Sequence, residues 1–214
     1  MDQFIAALEY QLDDDLRLCR GVAYQADMTP SVEYADGYWQ KVMAYEDTVI
    51  SRKVNRGRCA LLARHIKRSA SVLDIGAGTG AFVKAARSVG FEAYGYDVMP
   101  QSVAALGDLY DADVERFSAV TMWDSLEHMA HPGEWLARMR AESWLFVSIP
   151  IFKSLSEIRD SKHYRPGEHL YYVTADGLIN WLRCYGFVFI ERSDHETQAG
   201  RDSIGAFAFR RSEC

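Results

Sequence analysis

Apolar residues recur along this chain at two different periods, and the change from one to the other divides it. Residues 2–19 place Phe4, Ile5, Leu8, Leu12, Leu16 and Cys19 at helical intervals, which predicts an amphipathic helix with Asp13, Asp14 and Asp15 on its solvated face. After a looser stretch around Thr29-Pro30 and Asp36-Gly37, residues 39–68 repeat the helical period through Val42, Met43, Val49, Ile50, Val54, Leu61, Leu62 and Ile66. Gly57 is expected to break that pattern into two helices. From residue 71 short apolar runs alternate with helical ones: SVLDI, AFVKAARSVG, FEAYGYDV, PQSVAALGDLY. The alternation continues through SAVTMWD, a helix from about Pro132 to Met139, WLFVSIP, and a helix from about Thr174 to Tyr185 that Gly186 is placed to end. FVFIERS and GAFAFRR then follow with no helical pattern between them, so they are expected to pair as an antiparallel hairpin.

Strands alternating with helices predict an α/β fold: a Rossmann-like, doubly wound, mostly parallel sheet with its last strand reversed. With 214 residues, 49% of them hydrophobic, there is chain enough for one sizeable core, and no repeat or long linker divides it. The expected organisation is an N-terminal helical cap over residues 1–44 and one domain over 45–214.

Charge and cysteine usage narrow the function. A net charge of -6 leaves no overall basic field to drive nonspecific binding to duplex DNA. Cys19, Cys59, Cys184 and Cys214 are scattered, without the paired spacing of a zinc site or disulfide framework. The N-terminus has acids where a secretory signal needs a basic segment, and no apolar run approaches the roughly 20 residues that span a bilayer. A cytoplasmic protein without membrane partners is expected; the oligomeric state is not set by these features.

The stretch SVLDIGAGTGAF carries the chemistry. Gly76 and Gly78 allow a tight strand-to-helix turn whose backbone approaches a ligand, and the following helix presents free N–H groups there. A nucleoside-bearing small molecule is expected. Gly76-x-Gly78-x-x-Ala81 also satisfies the relaxed dinucleotide fingerprint, with Asp97 about 20 residues on as a ribose-binding acid. The turn alone does not choose between cofactors.

DIGAGTG, with Asp74 two residues ahead of the first glycine, resembles motif I of the class I S-adenosylmethionine-dependent methyltransferases, and Asp97 at the end of YGYD resembles their ribose-binding acid. WDSLEH, Trp123 to His128, is similar to the D-x-x-E-H segment of their small-molecule members, and WLFVSIP to their fifth strand. The resemblance covers about residues 45–211 and departs at one place: Met139-Arg-Ala-Glu-Ser stands where a Lys-Pro-Gly-Gly turn is usual. It implies seven strands, the third near Asp111 and Asp113. It implies S-adenosyl-L-methionine as cofactor, released as S-adenosyl-L-homocysteine. The cofactor set it implies is Asp74, Gly76, Ala77, Gly78 and Gly80 at the turn, Asp97, Val98 and Met99 around ribose and adenine, and Trp123, Asp124 and Ser125 at the methionine end. Asp111 or Asp113 is a further candidate for the adenine amino group.

Methyl transfer needs a general base only when the acceptor is a poor nucleophile, and histidine is the natural residue for that role. His163, His128 and His169 are the candidate catalytic residues, whereas His65 and His131 read as structural. The segment SKHYRPGEHLYYVT, residues 161–174, leaves a strand end on the ligand side and should help form the acceptor pocket. Lys162, Arg165 and Arg201 would favour an anionic acceptor, Tyr171 or Tyr172 would stack on a ring, and Tyr38 and Trp39 would cover the cofactor. A metal site from His163, His169, His195 and Glu196 has no diagnostic spacing, so none is expected. The favoured partner is a small-molecule methyl acceptor. Nucleic-acid methylation is less favoured because WDSL lacks the Pro-Pro-aromatic signature of amino-methylating enzymes. A noncatalytic cofactor-binding protein remains open, and a nicotinamide dehydrogenase would need a substrate domain for which little chain is left.

Overall fold

The computed structural model of the chain describes residues 9–11, 14–29, 36–46 and 48–213. Its main sheet has six strands in the order β5-β4-β6-β7-β10-β9, where β4 is Ser71–Ile75, β5 Glu92–Tyr96, β6 Ala119–Trp123, β7 Trp144–Pro150, β9 Phe187–Ser193 and β10 Ile204–Arg211. β4, β5, β6 and β7 pair parallel to one another, and β10 runs antiparallel to both β7 and β9. Five of these strands, β9 among them, thus share one carboxyl edge.

Alternation along each strand explains the layering. Leu73, Ile75, Val120, Met122, Leu145, Val147, Phe207 and Phe209 face one core, which they share with Leu178, Trp181 and Leu182 of helix α6 (Ala175–Arg183). Their neighbours Val72, Ala119, Phe146, Ala206 and Ala208 face a second core with Leu61 and Leu62 of α2 (Val49–His65) and Phe82, Val83 and Ala86 of α3 (Ala81–Ser88).

Four expectations are corrected. Within the described part of residues 2–19 there is no helix. β1 (Glu9–Gln11), β2 (Leu16–Cys19) and β3 (Val22–Gln25) instead form a small antiparallel sheet with β8 (Tyr171–Val173). The cause is a two-residue turn at Arg20 and Gly21, both at positive φ (49° and 86°), which returns the chain so that Cys19 faces Val22. Apolar residues that also fit a helical period are therefore drawn into tertiary pairing, which overrides the local pattern. Of the helical cap expected over 1–44, the described residues hold one helix, α1 (Asp36–Glu46), which runs past residue 44.

Gly57 does not break α2, which is continuous from a Thr48 N-cap whose side chain accepts from the Ser51 amide. A Cβ at Gly57 would lie 2.5 Å from the His195 ring, so the glycine admits a neighbour rather than ending a helix. The seventh strand is absent among the described residues: near Asp111 and Asp113 a single bridge joins Gly95 to Tyr110. The two acids accept instead from the amides of Asp113 and Glu115, closing local turns that compete with a strand ladder. Finally, the β9–β10 connection holds a one-turn helix, α7 (His195–Gln198).

No helix among the described residues is long and apolar enough to cross a membrane. Cys19, Cys59 and Cys184 are free thiols, and Cys214 lies outside the described residues.

Candidate functional site

At the shared carboxyl edge, beyond Ile75, Tyr96, Trp123 and Pro150, lies a cavity of ≈ 920 Å³, a size that suits a cofactor with its acceptor. All the expected cofactor residues line it except Gly80, as do His128, His163 and His169.

The glycine turn is strapped to β5, because Gly76 and Ala77 both donate their amides to the Tyr96 carbonyl at 2.8 and 3.0 Å. Gly76 has φ +81°, and a Cβ there would lie 2.5 Å from the Ser125 side chain. Gly78, at φ +54°, is open: only Val42 of α1 comes within 3.6 Å of where its Cβ would be. That opening lets a ligand meet bare backbone. Gly80 is the N-cap of α3 and packs on Leu106 of α4 (Pro100–Leu106), so it shapes the turn from behind.

Asp97 is held by its own surroundings. Its Oδ2 accepts from the Gly78 amide at 2.8 Å and its Oδ1 from the Met99 amide at 2.9 Å. Each oxygen keeps a lone pair for a further donor. Val98 is exposed at the rim and Met99 is buried behind it. Asp74 is buried with its Oδ1 accepting from the Thr121 hydroxyl at 2.6 Å. Burial pushes its carboxyl up to about 7, a rise that the Thr121 hydroxyl partly offsets.

Beyond β6, Trp123 packs edge-on against Phe82, and the Ser125 hydroxyl donates to the Ile75 carbonyl at 2.7 Å. Asp124 between them adopts φ +54°, a left-handed conformation costing about 1 kcal/mol or more in a non-glycine residue. Two arginines hold it there. Its Oδ2 accepts from Arg58 Nη2 at 2.8 Å and Arg201 Nη1 at 2.7 Å. Its Oδ1 is buried without a partner among the described residues. Both arginines also bind Glu196, each at 2.7 Å, and Arg58 reaches Ser148 at 3.1 Å and lies over the Trp123 ring. Burial alone would raise the fully buried Glu196, but Arg58, His195 and Arg201 hold its carboxyl well below the usual range.

Arg58 was not anticipated. The signal available was a charged residue on the apolar stripe of α2, between Val54 and Leu61. Arg201, expected to meet an anionic acceptor, is instead committed to Asp124 and Glu196. Lys162 is exposed, 4.0 Å from Asp202, and off the cavity wall.

The strap of residues 151–170 closes the acceptor side. It is clasped by Leu170 N donating to the Glu127 carbonyl at 2.7 Å and His128 Nδ1 donating to the Glu168 carbonyl at 2.8 Å. His163 and Arg165 line the cavity, the latter paired with Glu168 at 3.0 Å. Burial lowers His163, and strongly lowers His169, to about 3.

Tyr171 and Tyr172 do not reach the cavity. Tyr171 packs on Trp181 with ring centroids 4.7 Å apart, and Tyr172 is fully buried, accepting from Gln25 Nε2 at 2.7 Å. Their alternation in β8 turns Tyr171 into the core that holds Trp181 and Tyr172 into a separate cluster with Leu16, Ala23, Phe152 and Ile158. Asp111 and Asp113 likewise lie off the cavity wall. The four residues weighed as metal ligands are not gathered: His195 packs on Gly57 and Glu196 is locked in the arginine network. Trp39 of α1 lines the cavity beside Val42 and Tyr45; the side chain of Tyr38 lies outside the described residues. His65 pairs with Glu191 at 2.7 Å, and His131 precedes helix α5 (Pro132–Arg138).

A family model described as a methyltransferase domain matches residues 44–192. No curated protein matches. Among solved structures, the chain is similar to one from the complex between the Haloferax volcanii Trm112 methyltransferase activator and the putative methyltransferase. That match has TM-score 0.63 and 14% identity and covers 86% of this chain and 100% of the other. Similarity to Burkholderia thailandensis 1,6-didemethyltoxoflavin-N1-methyltransferase, bound to 1,6-didemethyltoxoflavin and S-adenosylhomocysteine, gives TM-score 0.57 and 18% identity over 97% and 100% of the two chains. Synechocystis magnesium protoporphyrin IX methyltransferase with bound SAH gives 0.58 and 16% over 85% and 89%. At such identities the likeness is one of fold.

Proposed function

Because the chain belongs to the methyltransferase domain family, we propose that its cavity binds S-adenosyl-L-methionine and delivers the methyl group to a small-molecule acceptor. The observation that carries this reading is the convergence of an open glycine turn, the clamped Asp97 carboxylate and the arginine-held Asp124 on one cavity wall. Each fits one part of that cofactor. Asp97 retains lone pairs for the two ribose hydroxyls, Val98 and Met99 border the adenine, and the bare backbone at Gly78 admits close approach. The Asp124 carboxylate lies at the methionine end to face the α-ammonium, and Asp74 adds negative charge beneath the sulfonium when ionised. The cofactor supplies an activated methyl on a sulfonium leaving group.

The chain's residues therefore act mainly by positioning. Arg58 and Arg201 neutralise one Asp124 oxygen and fix its carboxylate at the cavity wall. The strap brings His163 over the acceptor region; its Nε2–H donates to the Asp202 carbonyl at 3.2 Å, leaving Nδ1 to take a proton from an acceptor O–H or N–H. His128 and His169 lie deeper, beside Glu127. Arg165, half-exposed on the cavity wall and paired with Glu168, is a cation placed for an anionic acceptor. In this reading Asp124-x-x-Glu127-His128 is the D-x-x-E-H segment of small-molecule methyltransferases, the catalytic domain is residues 45–214, and the setting is cytoplasmic.

The test is incubation of the purified chain with methyl-labelled S-adenosylmethionine and a library of small carboxylates, phenols and amines, with products read by mass. Label in a small molecule supports the reading. Label only in added tRNA or DNA would assign the acceptor to nucleic acid, and no label with saturable cofactor binding would indicate a noncatalytic protein.

A further inference from the structure

Glu127, His128 and His169 place one ligand atom each within 4.8 Å of one another at the floor of the acceptor side of the cavity. The three come from two segments that the backbone locks together. Glu127 and His128 sit on the one-turn 3-10 helix after β6, and His169 ends the strap that Leu170 N fastens to the Glu127 carbonyl. The His128 and His169 rings meet edge to face, with centroids 4.8 Å apart and an interplanar angle of 89°.

The polar atoms in this cluster lack a counterpart. Glu127 is 1% exposed and His169 5%, yet Glu127 Oε2 and His169 Nδ1 have no hydrogen-bond partner among the described residues. His128 gives its Nδ1 proton to the Glu168 carbonyl, so its Nε2 carries a lone pair. Buried polar atoms of two neighbouring residues thus go unpaired beside a third ligand-bearing side chain, an arrangement that costs free energy. We infer that these three residues form a binding site for a divalent transition-metal cation.

The donor set, two imidazoles and one carboxylate, suits zinc, iron, manganese or cobalt rather than calcium or magnesium, which prefer all-oxygen shells. Metal–ligand bonds of about 2.1 Å require ligand atoms no more than about 4.2 Å apart, so side-chain adjustments of under an ångström close the site. Metal ligation would pair an ionised carboxylate with two neutral imidazoles. Three protein ligands leave coordination positions open toward the cavity. The ion is therefore placed to take an oxygen or nitrogen of the acceptor, a consequence that rests on the methyl-transfer reading, whereas the binding itself does not.

The test uses the full chain stripped with a chelator and titrated with Co2+, read by its visible d–d absorption, with Zn2+ as competitor. One equivalent is expected, with Zn2+ bleaching the bands and raising the unfolding temperature of the wild-type chain. Glu127→Gln and His169→Ala should each weaken binding by roughly tenfold or more, while His65→Gln, remote from the cluster, leaves it unchanged. Absence of saturable Co2+ binding, or binding untouched by both substitutions in chains whose circular dichroism shows them folded, overturns the site. S-adenosylhomocysteine is titrated into the same metal-free protein. Its binding without Co2+ binding removes the metal site alone, and Co2+ binding without it removes the methyl-transfer reading alone.

Discussion

Arg58 Nη2 lies 2.8 Å from Asp124 Oδ2, tying helix α2 to the carboxyl end of β6 directly beneath the cavity. With Arg201 and Glu196 this contact makes a closed network of two cations and two anions, 2.7–2.8 Å apart, in which Glu196 is fully buried. Removing one member leaves an uncompensated charge. Glu196→Gln should therefore destabilise the fold by about 3–5 kcal/mol in chemical denaturation. The pairing also sets a pH window. Because Glu196 titrates below its ordinary 4.5, its contribution is complete above that pH and is lost as the pH falls further, and the substitution should flatten that acid limb.

Asp74 should behave oppositely. Its carboxyl is raised from 3.8 to about 7, so the folded state holds the proton more tightly than the unfolded chain. Stability then declines as pH rises from about 4 to about 7 and is level above. Asp74→Asn, which keeps an acceptor for Thr121, should be more stable than the wild type at pH 8 by about 1–4 kcal/mol and equal to it near pH 4. Thermal melts at the two pH values check this. Cofactor affinity should show the reverse dependence, rising through pH 7 in the wild type as the carboxylate forms beneath the sulfonium.

The three-layer sheet, the glycine turn and both motif acids were legible in the sequence because they rest on local signals: a period of two, a strand-helix turn, an acid at a strand end. What was missed depends on distant partners. Leu16 and Cys19 fit a helix until Arg20 and Gly21 turn them against Val22. Gly57 reads as a helix breaker until the His195 ring occupies its missing side chain. Tyr171 and Tyr172 look like pocket aromatics until β8 pairs with β3 and buries them. Arg58 carries no local signal beyond being a charge on an apolar stripe.

Two glycines of the turn should separate conformation from contact. Gly76→Ala meets both a positive φ and the Ser125 side chain at 2.5 Å, so it should cost about 2 kcal/mol or more. Gly78→Ala meets only the φ cost, about 1–2 kcal/mol, but places a methyl in the cavity. It should lower cofactor affinity more than its stability loss implies. Denaturation and ligand titration on the same preparations compare the two.

On the acceptor side, His163→Ala should spare S-adenosylhomocysteine binding and reduce turnover by roughly a hundredfold where the acceptor needs a base. Arg165→Ala should raise KM for an anionic acceptor while leaving kcat for a neutral one unchanged. Steady-state kinetics with one acceptor of each charge decide both.

Calorimetric titration of the wild type and Asp97→Ala with S-adenosylhomocysteine, with NAD as the parallel ligand, tests the cofactor site most directly. Saturable binding of S-adenosylhomocysteine alone is expected, weakened by about tenfold or more in Asp97→Ala as two charge-assisted hydrogen bonds are lost. Saturation by NAD alone, or S-adenosylhomocysteine binding indifferent to Asp97, would contradict the assignment.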